Sequence, residues 1–149
     1  MTHHGTTRKV VDRLASLMGE NATIVNLDEN HEPDIQAFDC IVIGGSIHIG
    51  QIQGRVKNFC ETHKAQLLNK KLGLFLCFMN KDLAQQEFEN AFSPELRTHA
   101  TAHGLFGGEL LFEKMNFLER FITRMIAKEN KSRSAIDYEA IEKFAKSMR

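Results

Sequence analysis

Apolar positions Val10, Val11, Leu14, Leu17 and Met18 recur at helical spacing, which predicts an amphipathic helix over residues 7–18 closed by Gly19. Ala22-Thr-Ile-Val-Asn-Leu27 is short and β-branched, so it predicts a strand. The polar stretch 28–34 holds Pro33 and reads as a loop. Phe38 to Gly44 is a near-continuous apolar run ending in Gly44-Gly45-Ser46, the pattern of a strand covered on both faces. A helix over 55–68 carries Val56, Phe59, Cys60 and His63 on one side, and Leu72 to Met79 is a second buried-strand run. Leu83 to Phe92 reads as an amphipathic helix, with a further helical turn at Pro94-Glu95-Leu96. Gly104 to Phe112 reads as a strand bent at its glycines. Met115 to Ala127 is a helix, 128–134 a loop, and Asp137 to Met148 a closing helix with Tyr138, Ile141, Phe144 and Ala145 facing inward.

Strands separated by helices predict an α/β fold, with helices on both faces of a parallel sheet. No repeat, low-complexity tract or linker divides the chain, so residues 1–149 are expected to form a single domain.

Composition narrows the function classes. The chain carries 19 basic and 19 acidic residues for a net charge of zero, which offers nothing to nucleic acid. No apolar run approaches the ~18 residues of a spanning helix, so at most peripheral membrane contact is expected. No signal-peptide pattern opens the sequence, and the three cysteines, Cys40, Cys60 and Cys77, lack CxxC spacing. Buried free thiols in a reducing cytoplasm are the expectation. His63, His99 and His103 show no metal-ligand spacing, and no metal is assigned.

Three segments carry chemistry. Thr2-His3-His4-Gly5-Thr6-Thr7 places hydroxyls and backbone amides at a helix N-terminus, where the dipole favours an anion such as a phosphate monoester. Arg8 and Lys9 could add field or simply face solvent, and Met1 to Gly5 also fits a vector-derived tag remnant. Gly44-Gly45-Ser46-Ile47-His48-Ile49-Gly50-Gln51 follows a buried strand, at the sheet end where open α/β sheets bind ligands. Its glycines permit a tight path with amides turned to a ligand; an ordinary connecting loop is the plainer reading. Cys77-Phe78-Met79-Asn80-Lys81-Asp82 ends the next strand and should lie beside the second segment.

Together these segments resemble the flavodoxin family. Thr2, Gly5, Thr7 and Leu14 match the spacing of its phosphate-loop fingerprint; Val11 stands where that fingerprint has Ala. Within the family the chain looks most like the menaquinone-dependent protoporphyrinogen oxidase branch. Ile41-Val-Ile-Gly-Gly-Ser-Ile-His-Ile-Gly50 is similar to that branch's "VIGxSIxxG" loop, residues Gln53 to Phe59 resemble the helix after it, and Met115 to Ile126 resembles its extra segment. The resemblance implies a three-layer flavodoxin-like sandwich with sheet order 2-1-3-4-5, in which the apolar first strand ahead of Thr2 is missing. A sheet without that central strand should expose unpaired edges and be unstable, dimerise through them, or take a swapped strand.

The resemblance also implies FMN. Thr2, His3, His4, Gly5, Thr6 and Thr7 would hold its phosphate. Gly45, Ser46, Ile47, His48, Ile49 and Gly50, with Phe78, Met79 and Asn80 of the Cys77–Asn80 loop, would flank the isoalloxazine ring, and backbone groups at Gly44-Gly45 would tune it. No side chain need act as chemical catalyst. The chain lacks Trp and has one Tyr, so ring packing would fall to Ile47, His48, Ile49 or Phe78. The implied function is an FMN oxidoreductase passing electrons from a porphyrinogen-like donor to a quinone, in heme biosynthesis. The alternatives are a flavodoxin-type carrier serving redox proteins, and a shortened domain with impaired flavin binding. For Met115 to Ala127, packing of its apolar stripe against the sheet is preferred over a lid or a surface for porphyrin or quinone.

Overall fold

A computed structural model describes residues 5–110, Phe121, Met125 and residues 133–149. Its elements in chain order are α1 (Thr6–Met18), β1 (Cys40–His48), β2 (Gln51–Ile52), α2 (Gly54–Thr62), α3 (Lys64–Leu67), β3 (Lys71–Cys77), α4 (Ala84–Ala91), α5 (Pro94–His99), β4 (Ala102–Leu105), β5 (Glu109–Leu110), β6 (Arg133–Ser134) and α6 (Tyr138–Met148). The main sheet runs β2-β1-β3-β4, with β1, β3 and β4 parallel and β2 returning antiparallel to the end of β1. β5 and β6 form a separate two-stranded ribbon.

Both faces of the sheet are covered, as the continuous apolar runs require. β3 is central and alternates cleanly. Leu72, Leu74 and Leu76 point to a cluster with Val56, Phe59, Phe88 and Leu96. Phe75 and Cys77 point the other way, to Val10, Leu14, Phe106, Ile141 and Phe144. Helices α2 to α5 thus cover one face, and α1 and α6 the other. Gly73 lies on the second face because a Cβ there would stand 2.6 Å from the Phe144 ring. α6 is fixed at its start by Asp137, whose carboxylate accepts from the Ala140 amide at 2.9 Å.

Four expectations are corrected. Residues 22–27 form no strand: β-branched residues become a strand only with a neighbouring edge to pair with, and none of the described strands pairs with them. Asn26 instead closes a turn, its side chain accepting from the Asp28 amide at 3.1 Å. The 55–68 helix divides at His63 into α2 and α3. The 104–112 strand divides too, because Gly107 takes φ 67° and packs against Ala135, turning the chain from β4 toward β5. Tyr138 is exposed in the first turn of α6, ahead of the stripe Ile141, Phe144, Ala145 and Met148 that meets the sheet. Of the 115–127 segment only Phe121 and Met125 are described; both are helical, and at 57% and 68% exposed neither packs into the core. Cys60 and Cys77 are buried, Cys40 half-buried, and all three are free.

The close approach of β1 to Phe75 yields a test. A Cβ at Gly44 would overlap the Phe75 ring. Gly44→Ala is expected to cost about 1–3 kcal/mol in urea unfolding, the range of an overpacked core. Phe75→Leu in the same chain should recover part of that loss; additive destabilisation would show that the two positions do not touch.

Candidate functional site at the carboxyl edge of the sheet

α1 begins at the carboxyl ends of β1 and β3. Gly5 opens it at φ 81°, a left-handed conformation that favours glycine, with open space where a Cβ would be. Thr6 and Thr7 are buried in the first turn. Thr7 Oγ1 has no hydrogen-bond partner among the described residues, although it sits against the Cys77 thiol without reaching bonding geometry. Buried hydroxyls are normally satisfied, so this one is available to an added group. Cys77 in turn pairs with Ser46 across the β1–β3 ladder. The structure therefore brings Thr7, Cys77 and Ser46 side by side. Thr2, His3 and His4 lie outside the described residues.

The second segment differs from its expected form. Gly44 and Gly45 lie inside β1, paired with Phe75 and Leu76, rather than in a loop. Ile47 and His48 continue as a hairpin with Ile52 and Gln51. The turn is Ile49-Gly50, with φ 51° and 72°, both left-handed, as two-residue hairpins require. A β-branched residue is strained there, and Ile49 is nonetheless 65% exposed at the tip. Nor does the Ser46 amide turn to a ligand: it donates to Gln53 Oε1 at 3.2 Å, while Gln53 Nε2 donates to Ser46 Oγ at 2.7 Å. Gln53 thus ties the hairpin base to the start of α2. It was missed because a glutamine at a helix start carries no signal of its own. Gly45 leaves room for that amide, since a Cβ would meet Gln53 Oε1.

The third segment is held from two sides. The Phe78 amide donates to Gly107 O at 3.0 Å, and a Cβ at Gly108 would stand 2.7 Å from Phe78 O. Asn80 accepts from the Asp82 amide at 3.0 Å, turning the loop. Phe78 is half-buried; Met79 and Leu83 are exposed. The Gly107-Gly108 pair is a fourth contributor, visible in the sequence only as a bend.

The two basic residues in the first turn of α1 are both paired with carboxylates. Arg8 pairs with Asp12 at 2.8 Å, one helical turn on, and Lys9 with Glu109 at 2.8 Å. The hydrogen bond that Lys9 donates to the Glu109 carboxylate raises its ammonium above its ordinary value, but on an exposed side chain such a pair contributes little. Among the described residues, the groups offered to an anion here are hydroxyls, amides and the helix dipole. On the opposite face, burial raises Glu87, whose Oε2 has no hydrogen-bond partner among the described residues.

Comparison with known proteins fits this geometry. The flavodoxin domain family matches residues 1–137. The chain belongs to that family. Similar curated proteins are the "Protoporphyrinogen IX dehydrogenase [quinone]" of Escherichia coli strain K12 and those of strains O6:H1 and O157:H7. Each is 24% identical over 166 aligned positions, covering 97% of this chain and 89% of the relative. No solved structure matches the chain significantly. Flavodoxin domains generally bind flavin, and these relatives make the chain a flavodoxin-like oxidoreductase. Among the described residues no helix is long and apolar enough to cross a membrane.

Burial pushes the Cys77 thiol from 9.0 up to about 12, with the Thr7 hydroxyl acting the other way. Burial, aided by Glu61, does the same to Cys60. The fold therefore holds both thiols protonated, and their stabilisation is complete below pH 9.0 and lost as pH rises toward about 12. Unfolding free energy is expected to fall above pH 9.0 by up to roughly 1.4 kcal/mol per pH unit for each thiol. Denaturant midpoints over the first pH unit above 9.0 check this. Cys60→Ala should flatten the slope; an unchanged slope would contradict it.

Proposed function

We propose that this chain is an FMN-dependent oxidoreductase that passes electrons from a porphyrinogen-type donor to a quinone. The observation that carries the reading is the convergence of the α1 N-terminus, the end of β1 and the end of β3 on one edge, with the unpartnered Thr7 hydroxyl between them. A phosphate suits that hydroxyl and the first-turn amides, and Gly5 lets the backbone approach it. The residues present fit the group.

Thr2, His3, His4, Gly5, Thr6 and Thr7 would hold the phosphate. Gly45, Ser46, Ile47, His48, Ile49 and Gly50 would form one wall for the ring, and Phe78, Met79 and Asn80 the other. When bound, FMN supplies the electron transfer, so no residue is assigned as a catalytic acid or base. The chain's own task is placement. Gln53 fixes the hairpin, Gly107 and Gly108 fix the Phe78 loop, and exposed Ile49, Met79 and Leu83 offer apolar surface for a flat substrate at the rim. The quinone and porphyrinogen parts of the proposal rest on the relatives' name.

Purified protein mixed with FMN should show saturable change in the flavin's visible absorbance, and the complex should oxidise protoporphyrinogen IX only when menaquinone is present. Thr7→Val, nearly isosteric, should weaken FMN about tenfold, the worth of one charge-assisted hydrogen bond. Flavin binding with reduction by a flavodoxin reductase but no porphyrinogen turnover would select an electron carrier instead. A folded chain that never takes up FMN would point to a domain with impaired binding.

A further inference from the structure

Helix α4 carries a carboxyl group where its pattern calls for an apolar side chain. Ala84, Glu87, Phe88 and Ala91 form its buried stripe, at the i, i+3, i+4, i+7 spacing of a helix face laid on a sheet. Glu87 is only 9% exposed, yet its Oε2 has no hydrogen-bond partner among the described residues. A buried polar group without a partner lowers stability, and departures from the local pattern concentrate where a chain has a task to perform.

The place of Glu87 on α4 shows what that task touches. α4 packs on β2, β3 and β4. Phe88 marks the β4 side, its ring 5.1 Å from that of His103. Glu87, about 100° back around the helix, lies on the other margin of the stripe, toward β2 at the opposite end of the sheet. Helical side chains lean toward the helix N-terminus, and α4 starts after the Phe78 loop leaves the carboxyl end of β3. The carboxyl therefore leans toward the carboxyl edge of the sheet, beside the hairpin arm β2, whose Ile52 shares a core cluster with Phe88. Among the described residues, the elements packed there bring no cation against it. β2 offers Gln51 and Ile52, and β3 presents Leu72, Leu74 and Leu76 to this face. His103 of β4 is engaged with the Arg97 carbonyl at 2.8 Å, and Arg97 of α5 donates to Phe92 O at 3.1 Å. His48 on the hairpin and Lys81 and Asp82 ahead of α4 are exposed, and Glu89 accepts from Gln85 on the outer face of α4. Burial alone raises the Glu87 carboxyl above its ordinary value.

We propose that Glu87 is a proton-operated positioning residue for the hairpin: neutral, it lets α4 seat β2 against the sheet, and ionised, it draws water under β2 and loosens residues 47–52. A carboxylate that no cation meets is stabilised chiefly by water, and the β2 margin of α4 is where water reaches it first. A carboxyl raised by folding contributes seating that is complete below pH 4.5 and lost as pH rises through its folded-state value. Calling this hairpin a ring wall rests on the function proposed above; the seating itself needs no flavin.

The test follows the full chain without flavin from pH 4.5 upward, by methyl NMR of Ile52 and by hydrogen exchange corrected for its intrinsic pH dependence. In the wild type the Ile52 methyl signals should titrate with a midpoint above 4.5. Amide protection at 47–52 and in α4 should fall several-fold over the same range, while residues 41–43 of the β1–β3 ladder keep theirs. Glu87→Gln holds the side chain neutral, and Glu87→Leu returns an apolar residue to the stripe. Both variants should abolish the titration and the fall, and either one decides the matter if the other does not fold. Three results would overturn the proposal: no pH dependence at the hairpin of the wild type, a pH dependence that persists in a folded variant, or an equal loss of protection in the ladder. FMN affinity is a separate readout, expected to weaken with pH several-fold more in the wild type than in Glu87→Gln. A chain that takes up no FMN would defeat the function proposed above and leave the Ile52 and exchange results to decide this one.

Discussion

The parallel ladder between β1 and β3, running from Cys40 against Lys71 to Ser46 against Cys77, is the joint on which the other features depend. It buries Leu72, Leu74 and Leu76 on one face and Phe75 and Cys77 on the other, so both helical layers are anchored to it. It also sets the site. Because Ser46 and Cys77 end the ladder in register, the hairpin after one strand and the Phe78 loop after the other emerge side by side. A slip of one residue would turn every side chain of β3 to the opposite face and separate the two loops.

The fold was largely legible because its strongest signals are non-local only in their outcome. Near-continuous apolar runs at 38–44 and 72–79 are best satisfied by strands covered on both faces, and the stripe Ile141, Phe144, Ala145 and Met148 by a helix lying on such a sheet. Residues 22–27 were misread for the complementary reason. Ile24 and Val25 suit a strand, but a strand is a pairing and composition does not supply a partner. Tyr138 was misplaced because periodicity gives the direction of a face and not where the sheet beneath it stops.

At the site, residue identity was more legible than geometry. Glycine and threonine near a helix start pointed to an anion, and the structure adds the buried, unpartnered Thr7 hydroxyl beside Cys77. Sequence alone could not show that Gln53 occupies the Ser46 amide, that Ile49-Gly50 is a left-handed turn, or that Gly107 and Gly108 brace Phe78. Each of these depends on a contact between segments. The pairing of Arg8 and Lys9 with Asp12 and Glu109 has the same origin, and it commits those two cations to carboxylates.

The central claim is that the N-terminus of α1 is a phosphate seat joined to a ring site at the ends of β1 and β3. Calorimetric titration of the full chain with FMN and with riboflavin, which differ only in the phosphate, tests it most directly. FMN should bind tighter by about two orders of magnitude, the worth of two or so charge-assisted hydrogen bonds. Equal affinity for the two ligands would contradict the account.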